Sequence, residues 1–133
     1  MRARIIIGSP MSGLRAPMIA VGAVLAALVA GCGQTAVIRR SRTIYVALSE
    51  YRVAPQSVQI SRGPTTILVH NYGRLTHNLV ISRGGRLQAA TRPLWPGRSA
   101  ELVVWLTPGN YLIASSVLSD QALGAYGTLR VTS

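Results

Sequence analysis

From Thr43 onward, apolar and polar side chains alternate with a period of two. Ile44, Val46 and Leu48 interleave with Tyr45, Ala47 and Ser49, and Val58 and Ile60 with Gln59 and Ser61. Ile67 and Val69 fall on one face of their run, Leu68 and His70 on the other. Leu79-Val80-Ile81, then Leu102, Val104 and Leu106, then Tyr111 and Ile113, then Leu129 and Val131 continue the series. Successive strand side chains point to opposite faces, so this alternation predicts strands buried on one side. Turn formers separate the runs: Arg62-Gly63-Pro64, Asn71-Tyr72-Gly73, Arg83-Gly84-Gly85, Pro96-Gly97 and Pro108-Gly109-Asn110. No segment after Thr43 sustains a helical period. The pattern predicts an all-β sandwich of about seven strands, the number such sandwiches commonly carry. The longest interval without a strand signal runs from Arg83 to Arg98. Trp105 is out of phase with Leu102, Val104 and Leu106 and is expected to point outward, and His70 is expected to be exposed.

The first part of the chain follows a different rule. Residues 1–15 are basic and free of acids, residues 16–31 are apolar or small, and Cys32 follows at once. A positive start, an apolar stretch and small residues before a cut describe a secretory signal. Val29-Ala30-Gly31-Cys32 resembles the bacterial lipobox, which implies that Cys32 becomes a lipidated N-terminus carrying diacylglycerol and an acylated amine such as palmitate. The alternative is an uncleaved span from Ala16 to Ile38, close to the ~20 residues a bilayer needs. Its glycines and alanines make it only moderately hydrophobic, and Arg39, Arg40 and Arg42 on its outer flank weaken the positive-inside bias. Those arginines suit a lipid-anchored stem on anionic headgroups or, equally, a solvated linker. The expected organisation is therefore a signal peptide over 1–31, a lipidated cysteine and basic stem over 32–42, and one domain over 43–133, on the extracytoplasmic face of a cell membrane.

Charge narrows the partners. All 14 basic residues are arginine, against Glu50, Glu101 and Asp120. Such a surface favours anionic neighbours, here an anionic envelope component or another envelope protein beside the membrane that holds the lipid anchor. No nucleic-acid-reading motif is present and no nucleic-acid partner is expected. The single cysteine excludes an intramolecular disulfide, and a monomer is expected. Trp95 and Trp105 form a candidate partner patch, since tryptophan is enriched where proteins dock; the bland alternative is that Trp95 caps one end of the sandwich and Trp105 lies on its outer face.

Several short elements share one order and spacing. Glu50-Tyr51-Arg52-Val53-Ala54-Pro55 follows the first strong strand; Val69-His70-Asn71-Tyr72-Gly73 precedes His77-Asn78-Leu79-Val80-Ile81; Pro96-Gly97 and Pro108-Gly109-Asn110-Tyr111 are the two Pro-Gly turns; Gly124, Gly127, Thr128 and Leu129 lead into the last strand. Together these elements resemble the cupredoxin family over residues 44–132. The resemblance implies a Greek-key β-sandwich. It also implies that His77 stands where copper-binding members carry their first ligand. Counted from Tyr111, the family's ligand cysteine falls on Ser115, its second histidine on Asp120 and its axial methionine on Ala125.

Those three positions bear on chemistry. A blue-copper centre needs two imidazoles, a thiolate and a weak axial thioether. Serine is a hard, poorly acidic replacement for the thiolate. Cys32 precedes the domain, and Met1, Met11 and Met18 all lie in the leader. A type 1 copper cofactor is therefore expected to be absent. Three readings of the remnant His77, Ser115 and Asp120 stay open: a hydrogen-bonded knot, a weak metal site through His77 and Asp120 with water, and a hydrolytic Ser-His-Asp group. The last lacks any signal for an oxyanion hole or nucleophile elbow. The expectation is a non-enzymatic binding or accessory module, with low-affinity capture or delivery of copper or another divalent ion as the alternative.

Overall fold

The computed structural model describes residues 33–117 and 120–133. The leader and Cys32 lie outside the described residues. Among the described residues, ten strands form two mixed sheets. They are β1 (Ala36–Ile38), β2 (Thr43–Ser49), β3 (Arg52–Ala54), β4 (Ser57–Ser61), β5 (Gly63–Asn71), β6 (Val80–Arg83), β7 (Arg86–Ala90), β8 (Ser99–Leu106), β9 (Gly109–Ala114) and β10 (Tyr126–Thr132). The six-stranded sheet runs β1-β4-β10-β9-β6-β7 and the four-stranded sheet β3-β2-β5-β8. β1 and β10 both pair in parallel with β4, and β2 pairs in parallel with β5; the remaining pairs are antiparallel.

The alternation read along the chain is what packs the two sheets. Ile44, Val46 and Leu48 of β2 with Ile67 and Val69 of β5 face Val58 and Ile60 of β4, Leu129 and Val131 of β10, and Tyr111 and Ile113 of β9. Each of these side chains is buried, and full burial of such a side chain stabilises by about 1.5–3 kcal/mol. Tyr111 closes the lower corner by donating its hydroxyl to the Thr107 carbonyl at 2.8 Å.

Three strands exceed the expected seven, and each has a physical reason for leaving no alternating signal. β7 sits at the edge of its sheet with four of its five residues exposed, so it has no face to mark with apolar residues. β3 sends only Val53 into the core. β1, three residues long, pairs Ala36, Val37 and Ile38 with Val58, Gln59 and Ile60, which draws part of the expected stem into the sandwich. Arg42 is drawn in as well. Its guanidinium donates to the carbonyls of Pro64 and Ser61, each at 2.8 Å, and to the hydroxyl of Thr65 at 3.0 Å. That fork ties the start of β2 to the β4–β5 turn and leaves Arg42 committed to the protein rather than to headgroups.

Gly127 is needed where β10 runs beside the approach to β4. A Cβ there would lie 2.5 Å from the Gln56 carbonyl oxygen, and Thr128 N–H already donates to that carbonyl at 2.7 Å. The obstacle is backbone, so a local shift must follow. Gly127→Ala should lower unfolding stability by about 2 kcal/mol, measured by chemical denaturation.

Candidate functional site

The loops at one end of the sandwich converge on His77. Its backbone pairs with Leu94 through His77 N–H to Leu94 C=O at 3.1 Å and Leu94 N–H to His77 C=O at 2.6 Å. The ring is 1% exposed. Its Nδ1 lies 2.6 Å from Asp120 Oδ2, and the same carboxylate oxygen accepts the Ser115 hydroxyl at 2.7 Å. Ala125 completes the cluster through its backbone: its N–H donates to the Asp120 carbonyl at 2.9 Å, and its own carbonyl accepts Ser115 N–H at 2.9 Å. The structure thus brings together His77, Ser115, Asp120 and Ala125. Asp120 and Ser115 are both buried, so each finds its hydrogen-bond partner inside the protein, as a buried polar group must.

Two side chains from the family-like elements of the sequence, Asn71 and Glu50, support this cluster. Asn71, fully buried, donates Nδ2 to the carbonyls of Leu75 and Leu94, each at 2.8 Å, and accepts Gly73 N–H on Oδ1 at 2.8 Å. Its own N–H and C=O bond Arg98 C=O and Gly97 N–H, both at 2.9 Å. One residue therefore fixes the 71–75 loop and the 94–98 loop, which together hold His77. Glu50 is the second. Its Oε1 accepts N–H groups from Arg74 and Leu75 and lies 3.8 Å from His77 Nε2. Backbone donors, its own amide and those of Arg74 and Leu75, pull the carboxyl down from 4.5 to about 2. Gly73 is small by necessity here: a Cβ would meet Glu50 Oε1 at 2.7 Å and His77 Nε2 at 2.9 Å. That Nε2 is the one buried side-chain polar atom without a hydrogen-bond partner among the described residues.

The arrangement sets chemical limits. Nucleophilic relay requires the serine on the imidazole and the acid on the other ring nitrogen. Here Ser115 donates to the carboxylate and the carboxylate takes Nδ1, so no such relay exists. Among the described residues no group of three histidine, cysteine, aspartate or glutamate side chains is disposed to hold a metal ion. Outside the cluster, Trp95 and Trp105 are 72% and 71% exposed. They lie apart: Trp105 pairs across strands with Pro64 on the outer face of the four-stranded sheet, and Trp95 lies in the loop after Leu94. His70 is half-buried, with Nδ1 2.6 Å from the Ser99 hydroxyl.

Two outcomes follow from these supports. Asn71→Ala leaves the Leu75 carbonyl and Gly73 N–H without their partners and should cost about 3 kcal/mol of stability, measured by denaturant unfolding. The Glu50 contribution has a defined pH window. With its carboxyl lowered in the folded state, the stabilisation is complete above 4.5 and disappears as pH falls toward about 2. Wild type should therefore be more stable than Glu50→Gln at neutral pH, with the gap closing across that window in pH-resolved melting curves.

No family model matches the chain, and no curated protein matches it in sequence. Solved structures do match in fold. Dithionite-reduced auracyanin from Roseiflexus castenholzii superposes with a TM-score of 0.66 at 23% identity, covering 70% of this chain and 98% of that one. Auracyanin A, a "blue" copper protein from Chloroflexus aurantiacus, gives 0.62 at 17%, covering 72% and 99%. Rusticyanin from Thiobacillus ferrooxidans gives 0.61 at 16%, covering 77% and 84%. Sandwich topology, loop convergence and superposition agree: the chain has the cupredoxin fold.

Proposed function

We propose that the protein is a lipid-anchored extracytoplasmic lipoprotein whose cupredoxin-fold domain has lost the type 1 copper site and serves as a non-enzymatic binding or accessory module. One observation carries the reading. The Asp120 carboxylate, at the position the resemblance assigns to a ligand histidine, bonds His77 Nδ1 at 2.6 Å and the Ser115 hydroxyl at 2.7 Å. The donor set does not fit blue copper: one imidazole, one hydroxyl, one carboxylate and the methyl of Ala125 offer no sulfur. The carboxylate already takes two hydrogen bonds through one oxygen, which also disfavours the alternative of metal capture between His77 and Asp120. Membrane attachment rests on the lipobox-like Val29-Ala30-Gly31-Cys32; among the described residues no helix is long and apolar enough to cross a membrane.

Two measurements test this. The full chain titrated with Cu(II) should develop no intense thiolate charge-transfer colour; a blue band that persists in Cys32→Ser would overturn the reading, as would micromolar metal binding abolished by His77→Ala. In cells, a traceable fatty acid should label the wild-type chain and fail to label Cys32→Ser. Equal labelling of both would remove the anchor.

A further inference from the structure

The outer face of the four-stranded sheet carries a cavity that the remnant site does not use. Its volume is about 580 Å³, within the range of small-molecule sites. Cross-strand register builds it. Tyr45, Leu68 and Glu101 form one row over β2, β5 and β8, and Ala47, His70 and Ser99 form the next. Leu68 is the floor, with Tyr45 on one side and Glu101 on the other; all three line the cavity together with His70, Tyr72 and Ser99. The far wall is fixed in place. His70 Nδ1 lies 2.6 Å from the Ser99 hydroxyl, and the Tyr72 ring leans on the imidazole with centroids 4.2 Å apart and planes tilted by 57°.

Charge identifies the occupant. Of the three acids in the chain, Glu50 and Asp120 are committed to hydrogen bonds around His77. Glu101 makes no ion pair and no side-chain hydrogen bond among the described residues. It stands in a strongly basic chain, yet no arginine lines this cavity. A cavity lined by one exposed carboxylate and two tyrosines, and by no arginine, is complementary to an organic cation: the ring faces carry negative charge density, and the carboxylate supplies the counter-charge. The cavity is open to solvent on its outer side, and its volume is that of a small ligand. We propose that this cavity is a binding site for a small quaternary ammonium compound, held between Tyr45, Tyr72 and Glu101 over Leu68. The site is separate from His77 and stands whether or not the copper reading holds.

The test is calorimetric titration of the full chain with choline and with tetramethylammonium. Saturable binding at about 1 mM or tighter is expected. Loss of one ring or of the carboxylate should weaken it about threefold, so Tyr45→Ala, Tyr72→Leu and Glu101→Gln should each show that drop. Leu87→Ala, on the exposed edge strand β7, should bind as wild type. All these positions are on the surface, and unchanged melting temperatures verify folding. Absence of saturation at about 50 mM ligand would overturn the proposal. So would unaltered affinity in all three site variants. Equal binding of glucose would mark a sugar site, and tighter binding of argininamide a guanidinium-reading surface; either result also overturns it.

Discussion

A carboxylate out of water must be given hydrogen-bond donors, and the loop end of this sandwich is organised around that requirement. Asp120 is buried. A single one of its oxygens takes the His77 ring nitrogen and the Ser115 hydroxyl. The cost of stripping water from a carboxylate runs to several kcal/mol, so it stays buried only where such partners are already in place. The loop before β6 is thereby held to a stretch about forty residues on, the end of β9 and the 120–125 turn, whose backbone closes on Asp120 and Ser115 through Ala125.

The neighbouring supports follow the same logic with different groups. Asn71 uses both ends of its amide to fix two loops at once, and buried in the core it has no water to compete for those bonds. Glu50 satisfies the N–H groups of a tight loop and is itself held ionised by them. Around His77 the loops are thus tied by directional polar contacts, whereas the sandwich below them is held by non-directional apolar packing. On the proposed reading this polar network does the tethering that a metal ion does in a copper-bearing relative, which explains how the fold would keep its loop geometry after losing sulfur ligands.

The surface divides by charge. Arginines are spread over the protein, while two of its three acids are turned inward and committed. Glu101 alone remains available, and cross-strand register sets it beside Leu68 and opposite Tyr45. That contrast is what gives the outer sheet face a chemical identity distinct from the basic remainder.

The sequence by itself determined the two-sheet sandwich, because period-two alternation records which side of each strand leaves water. It placed Ile67 and Val69 inward and Trp105 outward from phase alone, and the buried and exposed positions follow that phase. The spacing of turns and strands also pointed to the family whose fold the structure shows. Edge strands escaped: β7 packs only Ala89 partly against the core, and a strand with so little to bury carries no periodic signature. The environments of Asn71 and Glu50 escaped for another reason. A side chain's hydrogen bond to a carbonyl 23 residues away, or to an amide 25 away, leaves no trace in local composition. Which nitrogen of His77 meets Asp120, that Ser115 turns to the carboxylate rather than the imidazole, and that Arg42 folds into the domain were decided only when distant loops were packed against one another, because hydrogen bonds depend on position and direction in space, and hydrophobic burial depends only on which face a residue occupies.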